Sequence, residues 1–337
     1  MKKTILILIL VILTSFVSAT FVEDDSLSIT AVQYSSQSWG DYNNDGNPDL
    51  AICGKNNNGD FITKLYYLNN SVLTEDTRNT FVNVEECSVN LVDINKDNLS
   101  DLIVSGRNGT GTNQFVSKVY LNNGSHLNEN QDLVNLKFTN SIFGDVDNDE
   151  DLDLVIMGCS NGTSTTSTSS CSIMNTSVYI NNGSYLSYNQ TWSQNLTGVW
   201  RGSAAFGDYD NDGDLDLALS GTTGSDETSS ITKIYINNGS TFNEDTVNNI
   251  EGTYWGSLAW SDFNNDSSLD LFITGKNTSG TRITKIFKND PITGNSNTQP
   301  TAPTTVNATY INNQLIITWN NGSDTETSVL GLYYNLK

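Results

Sequence analysis

The chain has 337 residues and a formal net charge of −22, with 16 lysines and arginines against 38 aspartates and glutamates. So acidic a protein is repelled by nucleic acid and by anionic membrane, which argues against both as partners. The single histidine, His126, follows an Asn-Gly-Ser turn, and no Ser-His-Asp or Cys-His set can be assembled around it.

In chain order, Lys2 and Lys3 precede an apolar run over residues 5–13, and Val17-Ser18-Ala19 offers a small-residue cleavage site. Residues 1–19 therefore read as a signal peptide for export, because the run is short for a span of about 20 residues. No other stretch is apolar enough to cross a bilayer. Residues 21–38 carry no acidic loop. Phe21 nevertheless lies 20 residues before Asp41, as Leu73 and Phe242 lie before Asp93 and Asp262. This segment is expected to supply the last strand of a repeated unit and to cover an open sheet edge.

The unit itself begins at Asp41. Its fullest copy is Asp208-Tyr209-Asp210-Asn211-Asp212-Gly213-Asp214-Leu215-Asp216, and four more copies start at Asp41, Asp93, Asp145 and Asp262. The starts lie 52, 52, 63 and 54 residues apart, a period in the range of propeller blades and solenoid units. Thirteen residues after each first aspartate stands a glycine (Gly54, Gly106, Gly158, Gly221, Gly275). Two residues before it stands a large apolar side chain (Trp39, Leu91, Phe143, Phe206, Trp260). Carboxylates so crowded repel one another unless a cation neutralises them, and oxygen ligands at this spacing suit calcium before magnesium.

Positions 1, 3 and 5 offer side-chain oxygens, position 7 a backbone carbonyl, and position 9 a carboxylate able to bind through both oxygens. The candidate ligands are Asp41, Asn43, Asp45, Asn47 and Asp49 in the first loop, then Asp93, Asn95, Asp97, Leu99 and Asp101. The third loop offers Asp145, Asp147, Asp149, Asp151 and Asp153, and the fourth Asp208, Asp210, Asp212, Asp214 and Asp216. The fifth offers Asp262, Asn264, Asp266, Ser268 and Asp270. Loops one, three and four are expected to bind most readily. Asn98, Glu150 and Ser267 replace the glycine of position 6, where Glu150 is expected to strain the turn. An EF-hand opens similarly but needs flanking helices and a glutamate at position 12. Here that position is Leu219, inside the alternating run that follows the loop, which reads as a strand.

These residues resemble the FG-GAP/VCBS family, the calcium-loop repeats of integrin α-subunit propellers and of many microbial surface proteins. The resemblance covers roughly residues 21–290. It implies an all-β, five-repeat propeller over residues 20–290, with four-stranded blades around a central axis and a calcium loop joining the first two strands of each. Integrin-type propellers have seven blades, so the count departs from the best-known pattern, and an open part of a larger ring is the alternative. The family also implies that ligand is met on the face opposite the calcium loops. There the matching positions carry Tyr34, Phe138, Trp200, Arg201 and Trp255, which are candidates for a ligand face. The alternative is that they pack between blades.

Four cysteines in an exported chain point to disulfides. Cys159 and Cys171 flank a Ser/Thr run in the longest repeat and are expected to pair. Cys53 is either paired with Cys87 or a buried small apolar residue. Sequons such as Asn108, Asn161, Asn195 and Asn277 are potential glycan acceptors, and one at Asn265, inside the fifth loop, would conflict with metal. Residues 291–303 form a Pro/Gly/Asn/Thr-rich linker. Residues 304–337 resemble the opening strands of a fibronectin type III domain, with Trp319 in the place of its core tryptophan, and are short of the roughly 100 residues of such a sandwich.

The resulting expectation is a non-enzymatic, secreted or cell-surface protein with structural calcium that binds an extracellular protein or glycan. The alternatives are a lectin-like propeller or, less favoured, a polysaccharide-acting enzyme. The acids outside the loops (Glu85, Glu86, Asp226, Glu227) form no motif for the latter.

Overall fold

The computed structural model describes residues 28–69, 72–109, 114–161, 171–225, 229–289, 301–302, 306–311, 314–320 and 323. The expected signal peptide, the strand expected around Phe21, most of the expected linker and the chain beyond residue 323 lie outside them. Among the described residues the chain is almost all strand, with one helical turn, α1 (Gln190–Ser193).

The first sheet comprises β1 (Val32–Gly40), β2 (Asp49–Asn56), β3 (Phe61–Asn69) and β4 (Val72–Glu75). The second comprises β5 (Glu85–Val92), β6 (Asp101–Arg107), β7 (Phe115–Asn122) and β8 (Leu127–Asp132). The third comprises β9 (Lys137–Gly144), β10 (Asp153–Asn161), β11 (Ile173–Asn181) and β12 (Leu186–Tyr188). The fourth comprises β13 (Trp200–Gly207), β14 (Asp216–Thr222), β15 (Ser230–Asn237) and β16 (Phe242–Glu244). Each is an antiparallel meander whose strand order follows the sequence. The fifth sheet shows three strands, β17 (Leu258–Ser261), β18 (Asp270–Lys276) and β19 (Arg282–Phe287). A separate hairpin pairs β20 (Val306–Ile311) with β21 (Gln314–Trp319). In that hairpin Trp319 is exposed rather than a core residue.

The second strand of each sheet reads as a nearly unbroken apolar run. It has a hydrogen-bonded neighbour on each edge and, in the first four sheets, packed side chains on both faces, so neither face needs polar residues. β14 is buried along its whole length. The first strands pack side by side in chain order, β1 on β5, β5 on β9, β9 on β13 and β13 on β17. The repeated apolar-glycine pair explains how closely. A Cβ added to Gly40 would lie 2.8 Å from Leu91, one added to Gly144 2.8 Å from Phe206, and one added to Gly207 2.7 Å from Trp260. The glycine of one repeat is thus the seat for the large side chain of the next.

Two buried polar residues hold each unit together. The ninth loop residue (Asp49, Asp101, Asp153, Asp216, Asp270) is at most 1 % exposed. One of its oxygens accepts the N–H of loop position 2, and the other accepts an N–H near the end of the third strand. The asparagine ending that strand then reaches the preceding repeat. Asn122 donates to the Tyr42 carbonyl, Asn181 to Ile94, Asn237 to Val146 and Asn289 to Tyr209. The disulfide Cys53–Cys87 adds a covalent tie between β2 and β5, and Cys159–Cys171 closes the long loop of the third repeat.

In the second, third and fourth sheets an apolar residue of the outer strand packs in one cluster with loop position 2 of the preceding repeat. These pairs are Leu127 with Tyr42, Leu186 with Ile94, and Phe242 with Val146. The corresponding place beside the fifth sheet is a cavity of about 360 Å³ lined by Tyr209, Trp260, Leu271 and Phe287.

Asn181 also donates to the Leu152 carbonyl. Replacing it with alanine leaves the buried Ile94 carbonyl and the partly buried Leu152 carbonyl without this donor, so Asn181→Ala is expected to lower the urea-unfolding free energy by about 2 kcal/mol.

Candidate functional site

The five acidic loops share one backbone. In each, the carboxylate of position 1 accepts the N–H groups of positions 5 and 6, and the carboxylate of position 5 accepts the N–H of position 7. Positions 4 and 6 are both left-handed, whether or not position 6 is glycine. Asn98, Glu150 and Ser267 adopt φ of 66°, 72° and 72°, at a cost of roughly 1–2 kcal/mol for a residue with a side chain. The strain expected at Glu150 is therefore present, and the loop tolerates it.

Their side chains divide the loops differently from the sequence expectation. One oxygen each from Asp145, Asp147 and Asp149 lie within 4.8 Å of one another, as do those of Asp208, Asp210 and Asp216. Asp147 Oδ1 is buried without a hydrogen-bond partner. Burial first, and neighbouring carboxylates after it, push Asp208 and Asp210 up to about 6 and Asp216 up to about 8. These two donor sets fit a hard cation. In loops one, two and five, the asparagine at position 3 instead turns its amide onto the carboxylate of position 5. Asn43 Nδ2 donates to Asp45 at 3.1 Å, Asn95 to Asp97 at 3.1 Å and Asn264 to Asp266 at 2.7 Å. Loop one shares this amide–carboxylate contact with two and five, and in each the amide oxygen of position 3 also accepts the N–H of position 5. Position 7 links neighbouring loops in two cases: Lys96 pairs with Asp151 and Asn148 donates to Asp214.

At the other end of the first strands the repeats converge again. Seven residues before each first aspartate stand Tyr34, Glu86, Phe138, Arg201 and Trp255. All five are left-handed, with φ between 50° and 54°. The strand pairing slips at this point in the first four sheets, which marks a bulge. The glycine thirteen residues after each aspartate lies under it. A Cβ on Gly54, Gly106, Gly158 or Gly275 would come within 2.9 Å of backbone oxygen, and one on Gly221 within 3.0 Å. The five residues meet around one open cavity of about 200 Å³.

Arg201 is 7 % exposed, and its guanidinium lies 4.0 Å from the Trp200 ring, 4.7 Å from Trp255 and 4.9 Å from Phe138. Glu86, also 7 % exposed, has Arg107 at 3.5 Å, with Lys137, Arg201 and Lys55 further off and Glu85 beside it. Burial outweighs these cations and pushes Glu86 up to about 7. Tyr34 and Trp255 keep 57 % and 43 % of their surface in solvent.

The residues assigned to a ligand face are thus mostly brought together, with one correction. Trp200 is fully buried, packs on the Cys159–Cys171 disulfide and donates to the Gly224 carbonyl. At the left-handed bulge Arg201 lies over the Trp200 ring at 4.0 Å, so Arg201 lines the mouth and Trp200 sits beneath it in the core. Glu86 was missed as a mouth residue because it is not aromatic. Its spacing of seven from Asp93 is the signal that identifies it.

Residues 145–219 match the model of the FG-GAP-like repeat. No curated protein matches the chain. Among solved structures, a lectin of Agrocybe aegerita described for specific recognition of non-reducing terminal N-acetylglucosamine is 14% identical. That match covers 77% of this chain and 81% of the lectin, with a TM-score of 0.34. A thermostable family-43 glycoside hydrolase is 9% identical, covering 86% of this chain and 93% of the hydrolase, with a TM-score of 0.35.

Because the carboxyl of Glu86 titrates higher in the fold than in the unfolded chain, its contribution is complete below about pH 4.5 and lost as pH rises through about 7. Glu86→Gln removes this term. Wild type is expected to lose roughly 3 kcal/mol relative to the variant between pH 4.5 and 8, read as the difference between their urea-unfolding free energies across that range.

Proposed function

We propose that the protein is an exported, calcium-stabilised propeller of five blades that recognises an extracellular protein or glycan and acts in adhesion at a cell surface. The observation that carries this reading is the convergence of five left-handed residues on one mouth. A bulky side chain in that backbone region costs free energy at each position, and repeating it five times places varied side chains at a single opening. Among the described residues no helix is long and apolar enough to cross a membrane. The two disulfides fit an oxidising compartment.

Calcium has a structural role in this reading. Asp145, Asp147, Asp149 and Asp153 would hold one ion, and Asp208, Asp210, Asp212 and Asp216 another. Each ion neutralises carboxylates that otherwise repel, and binding only to the fold stabilises it by mass action. Asparagine already occupies position 3 in the other three loops, so the double variant Asp147→Asn, Asp210→Asn keeps the loop backbone. Millimolar calcium is expected to raise the thermal midpoint of wild type by at least 5 °C, and of this variant by less than half as much. An equal rise in both proteins, or none in wild type, rejects the assignment.

Recognition is tested with the labelled full chain on an array of extracellular proteins and glycans in calcium. The exposed Tyr34 and Trp255 are both changed to alanine, which leaves the core intact. Wild type is expected to show saturable binding that the double variant loses at least tenfold, with a thermal midpoint within a few degrees of wild type.

A further inference from the structure

The charges at the mouth narrow what it can hold. Glu86 and Arg201 line the same cavity, two first strands apart, one an acceptor and the other a donor. With Glu86 ionised, a net anion meets its carboxylate at short range, and a net cation meets the guanidinium. Taking either charge out of water beside its like is costly at the reduced dielectric of a concave site. A neutral ligand with several hydroxyls avoids both penalties, since it donates to Glu86 and accepts from Arg201. Thr139 and Ser35 border the same space.

Size and surface agree. At about 200 Å³ the cavity is smaller than the roughly 300–1,000 Å³ of drug-sized pockets, and suits one ring-sized unit at the end of a chain. Tyr34 and Trp255 at the rim supply aromatic surface against which the C–H face of a sugar ring packs. A Cβ on Gly202 or Gly256 would fall 1.8 Å from the Ser220 or Thr274 carbonyl oxygen, so glycine at these two lining positions lets the backbone beside the cavity pack closely on the neighbouring strand. We infer that the mouth binds a single uncharged sugar residue at the end of a glycan, between the Tyr34 and Trp255 rings, with its hydroxyls on Glu86 and Arg201. This rests on the recognition reading above and adds the class of ligand.

Ligand-observed NMR titration of the full chain tests it with three sets of probes: the methyl glycosides of glucose, galactose and mannose; the matching methyl uronides; and N-acetyl aspartate and lysine amides. At least one neutral glycoside is expected to bind. Its affinity should fall tenfold or more in Trp255→Ala and at least threefold in Glu86→Gln, which keeps the shape and removes the charge. Its uronide should bind more weakly in wild type. A uronide that outbinds its neutral counterpart, or binding strengthened by Glu86→Gln, overturns the neutral-sugar assignment. So does binding of the amino-acid amides alone. If any of those ligands is lost in Trp255→Ala, the mouth survives as the recognition site and only the ligand class falls. Sugar binding indifferent to Trp255→Ala overturns the site. No probe binding at all overturns the assignment, and an array signal lost in the Tyr34/Trp255 variant then tells that failure apart from failure of the recognition reading.

Discussion

Each repeat hangs on one carboxylate withdrawn from water. The aspartate at the ninth loop position is buried, and its two oxygens tie the start of the loop to the end of the third strand. A buried carboxylate is costly unless it is hydrogen-bonded, so this residue holds both segments in one geometry. The asparagine beside it carries the constraint to the neighbouring repeat. Loop, strand and adjacent sheet therefore form one polar network, while apolar clusters fill the space between sheets.

That network explains why five loops of different composition share one fold. The backbone is set by hydrogen bonds from positions 1, 5 and 9, which are aspartate in every copy. Position 3 is free to vary. With aspartate there, carboxylates crowd and a cation is the natural neutraliser. With asparagine, an amide N–H satisfies the acid of position 5. Loop shape is thus independent of whether position 3 is aspartate or asparagine.

The molecule is also polarised along its first strands. Aspartates collect where those strands end, about seven residues, or roughly 23 Å, from the mouth where they begin. Lys55, Arg107, Lys137 and Arg201 gather near that mouth, four of the 16 basic residues in a strongly acidic chain. Two of its acids, Glu85 and Glu86, stand among them, so the mouth is mixed in charge while the loop end is acidic. The αL bulges bring these side chains inward, and the phase-locked glycines make room for the bulged backbone.

The sequence by itself determined the period, the all-β class and the position of every loop. These features are local: ligands lie within nine residues, strands show their burial in apolar runs, and glycine marks close backbone approach. The pairing of Cys159 with Cys171 was legible for the same reason. Only the tertiary structure decided what is brought together from different repeats of the chain. It brought Glu86 beside Arg201, paired Cys53 with Cys87, and sent Trp200 into the core while its neighbour faced the cavity. A one-residue step along a strand reverses the face of a side chain, and bulges shift that step, so facing is set by packing between sheets. It also showed that the Asn43 amide both donates to the Asp45 carboxylate and accepts the Asp45 N–H.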